Sequence, residues 1–126
     1  QRLFRKICPY CRISVKERMS DPSFKRLKTA LGDYGIENTY LRGPGCKYCN
    51  HRGVIGRMSV PEIIVPDAHF LQLMVQGDTK SAIDYWVSEL DGRPLREAAI
   101  ERMLKGYIDM DEIERWCGLL DQRPIY

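Results

Sequence analysis

Several familiar features are missing from this 126-residue chain, and each absence removes a class of protein. No apolar run approaches the roughly 20 residues needed to span a bilayer as a helix. No low-complexity segment or long repeat is present, which argues against a solenoid or a disordered tail. The chain opens "QRLFRK" with neither an initiator methionine nor a secretory signal, and it is read as a domain excised from something longer. Histidine is scarce, at two residues, and no nucleophile–base pair or paired catalytic carboxylates can be assembled, so covalent chemistry by this stretch alone is not expected.

What is present begins with a division of charge. Residues 1–57 carry 13 Lys/Arg against 4 Asp/Glu, whereas residues 58–126 carry 7 against 13, so a net charge of +3 hides a basic half and an acidic half. The basic half suits anionic partners: acidic protein faces, lipid headgroups or nucleic acid. Equally, it could be a solubilising face, or the two halves could attract each other.

Four of the five cysteines fall in two CxxC pairs, "CPYC" at 8–11 and "CKYC" at 46–49. Each pair lets a tight turn aim two sulfurs at one point, and two such turns make the tetrahedral four-thiolate shell preferred by Zn²⁺. Cys8, Cys11, Cys46 and Cys49 are therefore the expected ligands of one structural zinc ion, with no open position for catalysis. Disulfides are the competing reading, disfavoured without secretory features. A thioredoxin-like redox pair lacks its βαβ setting. His51, two residues after Cys49, could replace a thiolate but is expected at the surface or behind the ligands. His69 has no ligand partner in register, and Cys117 reads as a buried small hydrophobe. Gly45, Gly53 and Gly56 suit the positive φ angles of knuckle turns; a phosphate-binding loop would need a following lysine and Ser/Thr that are absent.

Around these pairs, "QRLFRKI" reads as a helix end or short turn. "SDPSFKRLKTALGDYG" is a helix with Asp21 as cap and Pro22 in its first turn, ending at Gly32 or Gly35. "NTYLR" and "VIGRMSVPEIIV" are read as two or three short strands. Four helical segments follow: one capped by Asp67 and carrying Phe70, Leu71, Met74 and Val75; one starting at Asp78 with Ile83, Trp86, Val87 and Leu90; one with Ile100, Met103, Leu104 and Tyr107; and one opening with Asp109 and Glu112 in capping-box spacing, presenting Ile113, Trp116, Cys117 and Leu120. Both tryptophans read as core anchors. The fold class is therefore α+β: a small zinc-knuckle subdomain with a short β-hairpin and a helix at 1–65, then a C-terminal bundle of about four helices at 66–126.

In order and spacing, "QRLFRKICPYC", "GCKYCNHRGVIGRMSVPEII" and "GDTKSAIDYWVSELDGRPLREAAIERMLKGYIDMDEIERW" resemble the C-terminal tetracysteine region of the ATPases that power type II secretion and type IV pilus assembly. Gln1, Arg2 and Leu3 precede the first pair as in that family. Gly53, Gly56, Arg57 and Glu62 follow the second, and Asp91, Gly92, Gly106 and Glu112 match its closing helices. Val54 and Pro61 stand where the family has aromatics, which marks a divergent member, and retraction-type relatives lack the cysteines. The resemblance implies an appendage of a hexameric ATPase at the cytoplasmic face of the inner membrane, pushing on a polytopic platform protein, with ATP and Mg²⁺ bound only in a core upstream of this segment. On that view the basic residues Arg5, Lys6, Arg12, Lys25, Arg26 and Lys28 form a contact surface, with Arg12, Lys25, Arg26 and Lys28 the expected partner-binding set. The rival from another class is a zinc-ribbon-like nucleic-acid module. Against it, Tyr10, Tyr40 and Tyr48 make a poor stacking platform and the acidic half would repel phosphate, so no nucleic acid is expected.

Overall fold

A computed structural model describes residues 1–122. The chain runs β1 (Arg2–Ile7), β2 (Ile13–Ser14), a 3₁₀ turn (Val15–Arg18), α1 (Pro22–Asn38), β3 (Tyr40–Leu41), a second 3₁₀ turn (Lys47–Cys49), β4 (Val54–Val60), α2 (Ala68–Val75), α3 (Thr79–Glu89), α4 (Leu95–Leu104) and α5 (Met110–Cys117). It is an α+β fold, as the sequence leads one to expect.

Aspartate caps punctuate it. The Ser23 N–H donates to Asp21, that of Phe70 to Asp67, that of Ser81 to Asp78 and that of Glu112 to Asp109, each at 2.8–3.1 Å. Every cap satisfies an N–H with no partner inside its helix. Gly32 does break α1, at φ 63, but the helix resumes and reaches Asn38. Gly35 lies within the resumed part, where a Cβ would come 2.7 Å from that of Leu31.

The segment at 2–7 is a strand, not a helix end. β1 pairs antiparallel with β4, with Phe4 opposite Met58 and Arg5 opposite Arg57, and the register shifts between Arg5 and Ile7. That irregularity puts Phe4 and Ile7, three apart, both inside, so the strand lacks the clean alternation that would announce it. β2 pairs with β3 in a second two-stranded ribbon.

Four helices follow residue 65, in two groups. α2 and α3 pack on each other around Phe70, Ala82 and Trp86. α4 and α5 supply Ala99, Met103 and Ile113, with Ile108 and Met110 between and at their ends, to a larger core whose other members include Phe4, Val15, Leu27, Leu41 and Val60. The larger core thus draws on both sides of position 65. Leu71, Met74 and Val75, expected to face inward, are exposed on α2, and Trp116 is 46% exposed beneath the Arg2 guanidinium, 4.5 Å from its ring centroid. Tyr107 lies beyond the end of α4 and is likewise exposed.

The charge division closes in on itself. Arg5 pairs with Glu112 at 2.7 Å and Arg26 with Glu114 at 2.9 Å, so basic residues of the first half hold the acidic helix α5.

Candidate metal centre

β1 ends at Ile7 and delivers Cys8 directly into the first knuckle; β4 begins at Val54, just after the second. The paired strands therefore bring the two CxxC turns together. The Cys8 N–H donates to the Gly53 carbonyl at 2.9 Å, and inside each turn Arg12 N–H reaches Cys8 O at 3.1 Å and Cys49 N–H reaches Cys46 O at 3.2 Å.

The four sulfurs of Cys8, Cys11, Cys46 and Cys49 all lie within 4.8 Å of one another. Cys8 to Cys46 is 3.7 Å, Cys46 to Cys49 is 3.8 Å and Cys11 to Cys49 is 3.9 Å. A tetrahedron with metal–sulfur bonds of about 2.3 Å has sulfur–sulfur edges of about 3.8 Å, so the spacing fits a four-thiolate metal ion. These separations are far beyond the roughly 2.05 Å of a disulfide bond, so the four sulfurs are arranged to share an ion and not to pair with each other. Cys8 and Cys49 are buried, while Cys11 and Cys46 are half-buried.

Backbone N–H groups aim at the sulfur of Cys49, from Gly53 at 3.1 Å and Cys46 at 3.2 Å. Burial opposes ionisation of Cys49, but these donors overcome it and bring its thiol down to about 6. Burial pushes the Cys11 thiol up to about 12. A metal ion arriving here meets one thiolate already favoured and displaces the remaining protons.

The tight path needs particular residues. A Cβ on Gly43 would fall 1.8 Å from the Cys11 carbonyl oxygen, and one on Gly53, at φ 75, would fall 2.6 Å from the Gly43 carbonyl oxygen. Asn50 and His51 take left-handed φ values of 51 and 58 after the second pair. His51 is exposed and outside the sulfur cluster, as is His69, which sits edge-on to Tyr85.

The four basic residues of the expected contact set are placed differently from one another. Arg12 lies over the Tyr40 ring, 3.9 Å from its centroid, and donates to the Gly106 carbonyl at 3.0 Å. Arg26 is held by Glu114, whereas Lys25 and Lys28 are exposed on α1. Sequence reasoning missed the Arg5–Glu112 and Arg26–Glu114 links, which join residues 107 and 88 positions apart. It also missed that Tyr10 and Tyr48 stack, with ring centroids 4.3 Å apart. The signal for that was legible: the same position of each CxxC pair is a tyrosine.

The sequence matches known proteins over most of its length. Residues 1–115 match the family model described as Type II/IV secretion system protein. The type IV pilus assembly ATPase PilB of Thermus thermophilus is 29% identical over 114 residues, covering 90% of this chain and 12% of that protein. The type II secretion system protein E of Aeromonas hydrophila is 29% identical over 117 residues, 91% of this chain and 22% of that protein. The type IV pilus assembly ATPase TfpB of Acinetobacter baylyi is 29% identical over 119 residues, 91% of this chain and 19% of its own length. The chain thus spans 12–22% of the length of these relatives.

Proposed function

Because the chain belongs to the type II/IV secretion system protein family, we propose that it is the structural zinc-binding part of a hexameric ATPase that drives type IV pilus assembly or type II secretion. In this reading one Zn²⁺ is held by Cys8, Cys11, Cys46 and Cys49, and ATP with Mg²⁺ is bound by a core preceding Gln1. The motor works at the cytoplasmic face of the inner membrane, where this segment passes motion to a platform protein. Residues 1–65, which bear the metal, and residues 66–126, of which 123–126 lie outside the described residues, are proposed as the two working halves.

One observation carries the reading: the metal centre sits at the joined ends of β1 and β4 and is tied to the helical half at its base. The Ile7 N–H donates to the Tyr107 carbonyl at 2.9 Å, and next to it Arg5 grips Glu112. A knuckle cross-linked by metal and braced this way can pass a push between halves with little lost to loop motion.

Arg12, Lys25, Arg26 and Lys28 are proposed as the contact face toward the platform. Arg12 and Arg26 also hold the fold together, so the test uses the two exposed lysines. In the full-length ATPase, Lys25→Glu with Lys28→Glu should leave zinc content, folding and basal ATP hydrolysis unchanged, since solvated surface charges contribute little to stability. Pilus assembly or secretion should fall. Wild-type transport and platform binding by the double variant would overturn the contact assignment, and elemental analysis finding no zinc would overturn the metal.

A further inference from the structure

The outer face of the two knuckles carries aromatic surface that metal binding does not use. Tyr10 and Tyr48 stack on each other at an interplanar angle of 29°, yet they remain 69% and 59% exposed. Neither belongs to a buried cluster. Beside Tyr10 opens a groove of about 270 Å³ walled by Pro9, Tyr10, Ile55 and Tyr107, with Lys6 and Arg12 among its lining and no acidic residue. Contiguous exposed apolar surface with a polar rim marks an interaction site.

The charges at this groove are uncompensated. Arg5, Lys16, Arg26, Lys80, Arg93 and Lys105 each meet a carboxylate. Lys6 and Arg12, like Lys25, Lys28, Arg57 and others among the described residues, meet none. Arg12 is nonetheless held in place, by the Tyr40 ring and the Gly106 carbonyl, so its cation is fixed at the groove with no counter-charge.

We propose that this groove binds a peptide segment of a partner protein in which one bulky apolar side chain is flanked by carboxylates. The apolar side chain enters between Pro9, Tyr10, Ile55 and Tyr107, and the carboxylates meet Lys6 and Arg12. A concave site with room for a large side chain favours a peptide anchor over a membrane surface, which would call for a convex or flat apolar face. Tyr10 lies between two of the four sulfur ligands, so a bound metal fixes the groove wall before the partner arrives and lowers the ordering cost of binding. The inference goes beyond the motor reading and does not rest on it: peptide binding can hold while a role in transport fails.

The test is an NMR titration of the zinc-loaded chain with a glutamate-rich peptide carrying one central phenylalanine. Shifts should centre on residues 6–12, 55 and 106–107, with a dissociation constant on the order of 0.1–1 mM, as one anchor and two partly exposed ion pairs allow. Replacing the phenylalanine by alanine, or the glutamates by lysines, should weaken binding at least tenfold. Tyr107→Ala and, separately, Lys6→Glu should do the same; both side chains reach solvent, and zinc content with the amide spectrum checks that each variant is folded. No binding, equal binding of the alanine peptide, or shifts centred elsewhere would overturn the proposal. So would engagement of these residues by phosphatidylglycerol vesicles or single-stranded DNA in place of the peptide.

Discussion

Arg5 and Glu112, 107 residues apart in sequence, are joined by three hydrogen bonds: the Arg5 backbone N–H and Nε each donate at 3.0 Å and Nη2 donates at 2.7 Å. Glu112 is 5% exposed while the Arg5 side chain is 36% exposed, and the link is correspondingly asymmetric. Removing Arg5 leaves a buried carboxylate without its cation; removing the carboxylate frees a guanidinium that water can reach. Arg5→Ala should therefore cost about 2–3 kcal/mol and Glu112→Gln, which keeps an acceptor for the backbone N–H, about 1 kcal/mol. Urea denaturation checks the order, and a larger loss in Glu112→Gln would mean that the carboxylate's charge acts elsewhere.

Acid should reveal two carboxylates at the start of α5, the capping Asp109 and Glu112, whose shifts have opposite sign. Burial alone would raise Glu112, but the Arg5 guanidinium and backbone N–H hold it below the ordinary range. Its stabilisation is present above about pH 4.3 and is lost as pH falls through its lowered folded value. Asp109 is buried and raised, chiefly by that burial, so its contribution is present below about pH 3.9 and lost as pH rises through its raised folded value. Asparagine caps a helix about as well as aspartate. Asp109→Asn should then match or exceed wild-type stability at pH 7, while the deficit of Glu112→Gln should shrink toward pH 3. Thermal melts across that range decide it, and an Asp109→Asn variant clearly weaker at pH 7 would count against the buried-charge argument.

Three glycines near the metal centre should respond unequally to a methyl group. Gly43→Ala drives a Cβ into the Cys11 carbonyl, and Gly53→Ala drives one toward the Gly43 carbonyl while straining a residue whose N–H serves the Cys49 sulfur. Each should lower metal affinity by about 10–100-fold, the scale seen when groups that orient metal ligands are disturbed. Gly56, at φ 65, has nothing within 4 Å of a would-be Cβ. Gly56→Ala should cost about 1–2 kcal/mol from backbone strain alone and leave metal affinity unchanged. Competition with a chromophoric zinc chelator measures all three.

Local chemistry was legible in the sequence, and distant geometry was not. The four aspartate caps and the two CxxC turns depend on residues within a few positions of each other, and their residue types dictate what they do. β1 escaped because its bulge breaks the alternation and its partner strand lies some fifty residues away in the chain. Trp116 and the outer face of α2 escaped for a related reason: helical periodicity says which residues share a face, and only the packing of other elements decides whether that face is covered. By sequence alone the basic cluster reads as a partner surface, and for the exposed Lys25 and Lys28 that reading is a proposal. Arg5 and Arg26 turned out to face acids of α5, a pairing that charge counts allow but cannot locate.

Removing the metal should unfold the knuckles and spare the helices. Thiolate zinc sites are worth about 10–16 kcal/mol apparent at neutral pH, as much as the whole stability of a typical domain at about 5–15 kcal/mol, so the turns around Cys8–Cys11 and Cys46–Cys49 have little else to hold them. The larger core lies elsewhere: Met103, Ile108, Met110 and Ile113 are fully buried in one cluster with Phe4 and Val60, on the strands that flank the turns and not in the turns themselves. α2 and α3 close on their own cluster around Trp86. After chelation, hydrogen exchange should therefore accelerate at Arg12, Cys49, His51 and Gly53, whose amides bond within the knuckles, while amides of α3 and α4 stay protected and the helical circular-dichroism signal largely persists. Cys49→Ser should reproduce the pattern without chelator. Loss of all helical signal together with the metal would show instead that the four sulfurs set the register of β1 against β4, and through Phe4 the packing of everything behind it.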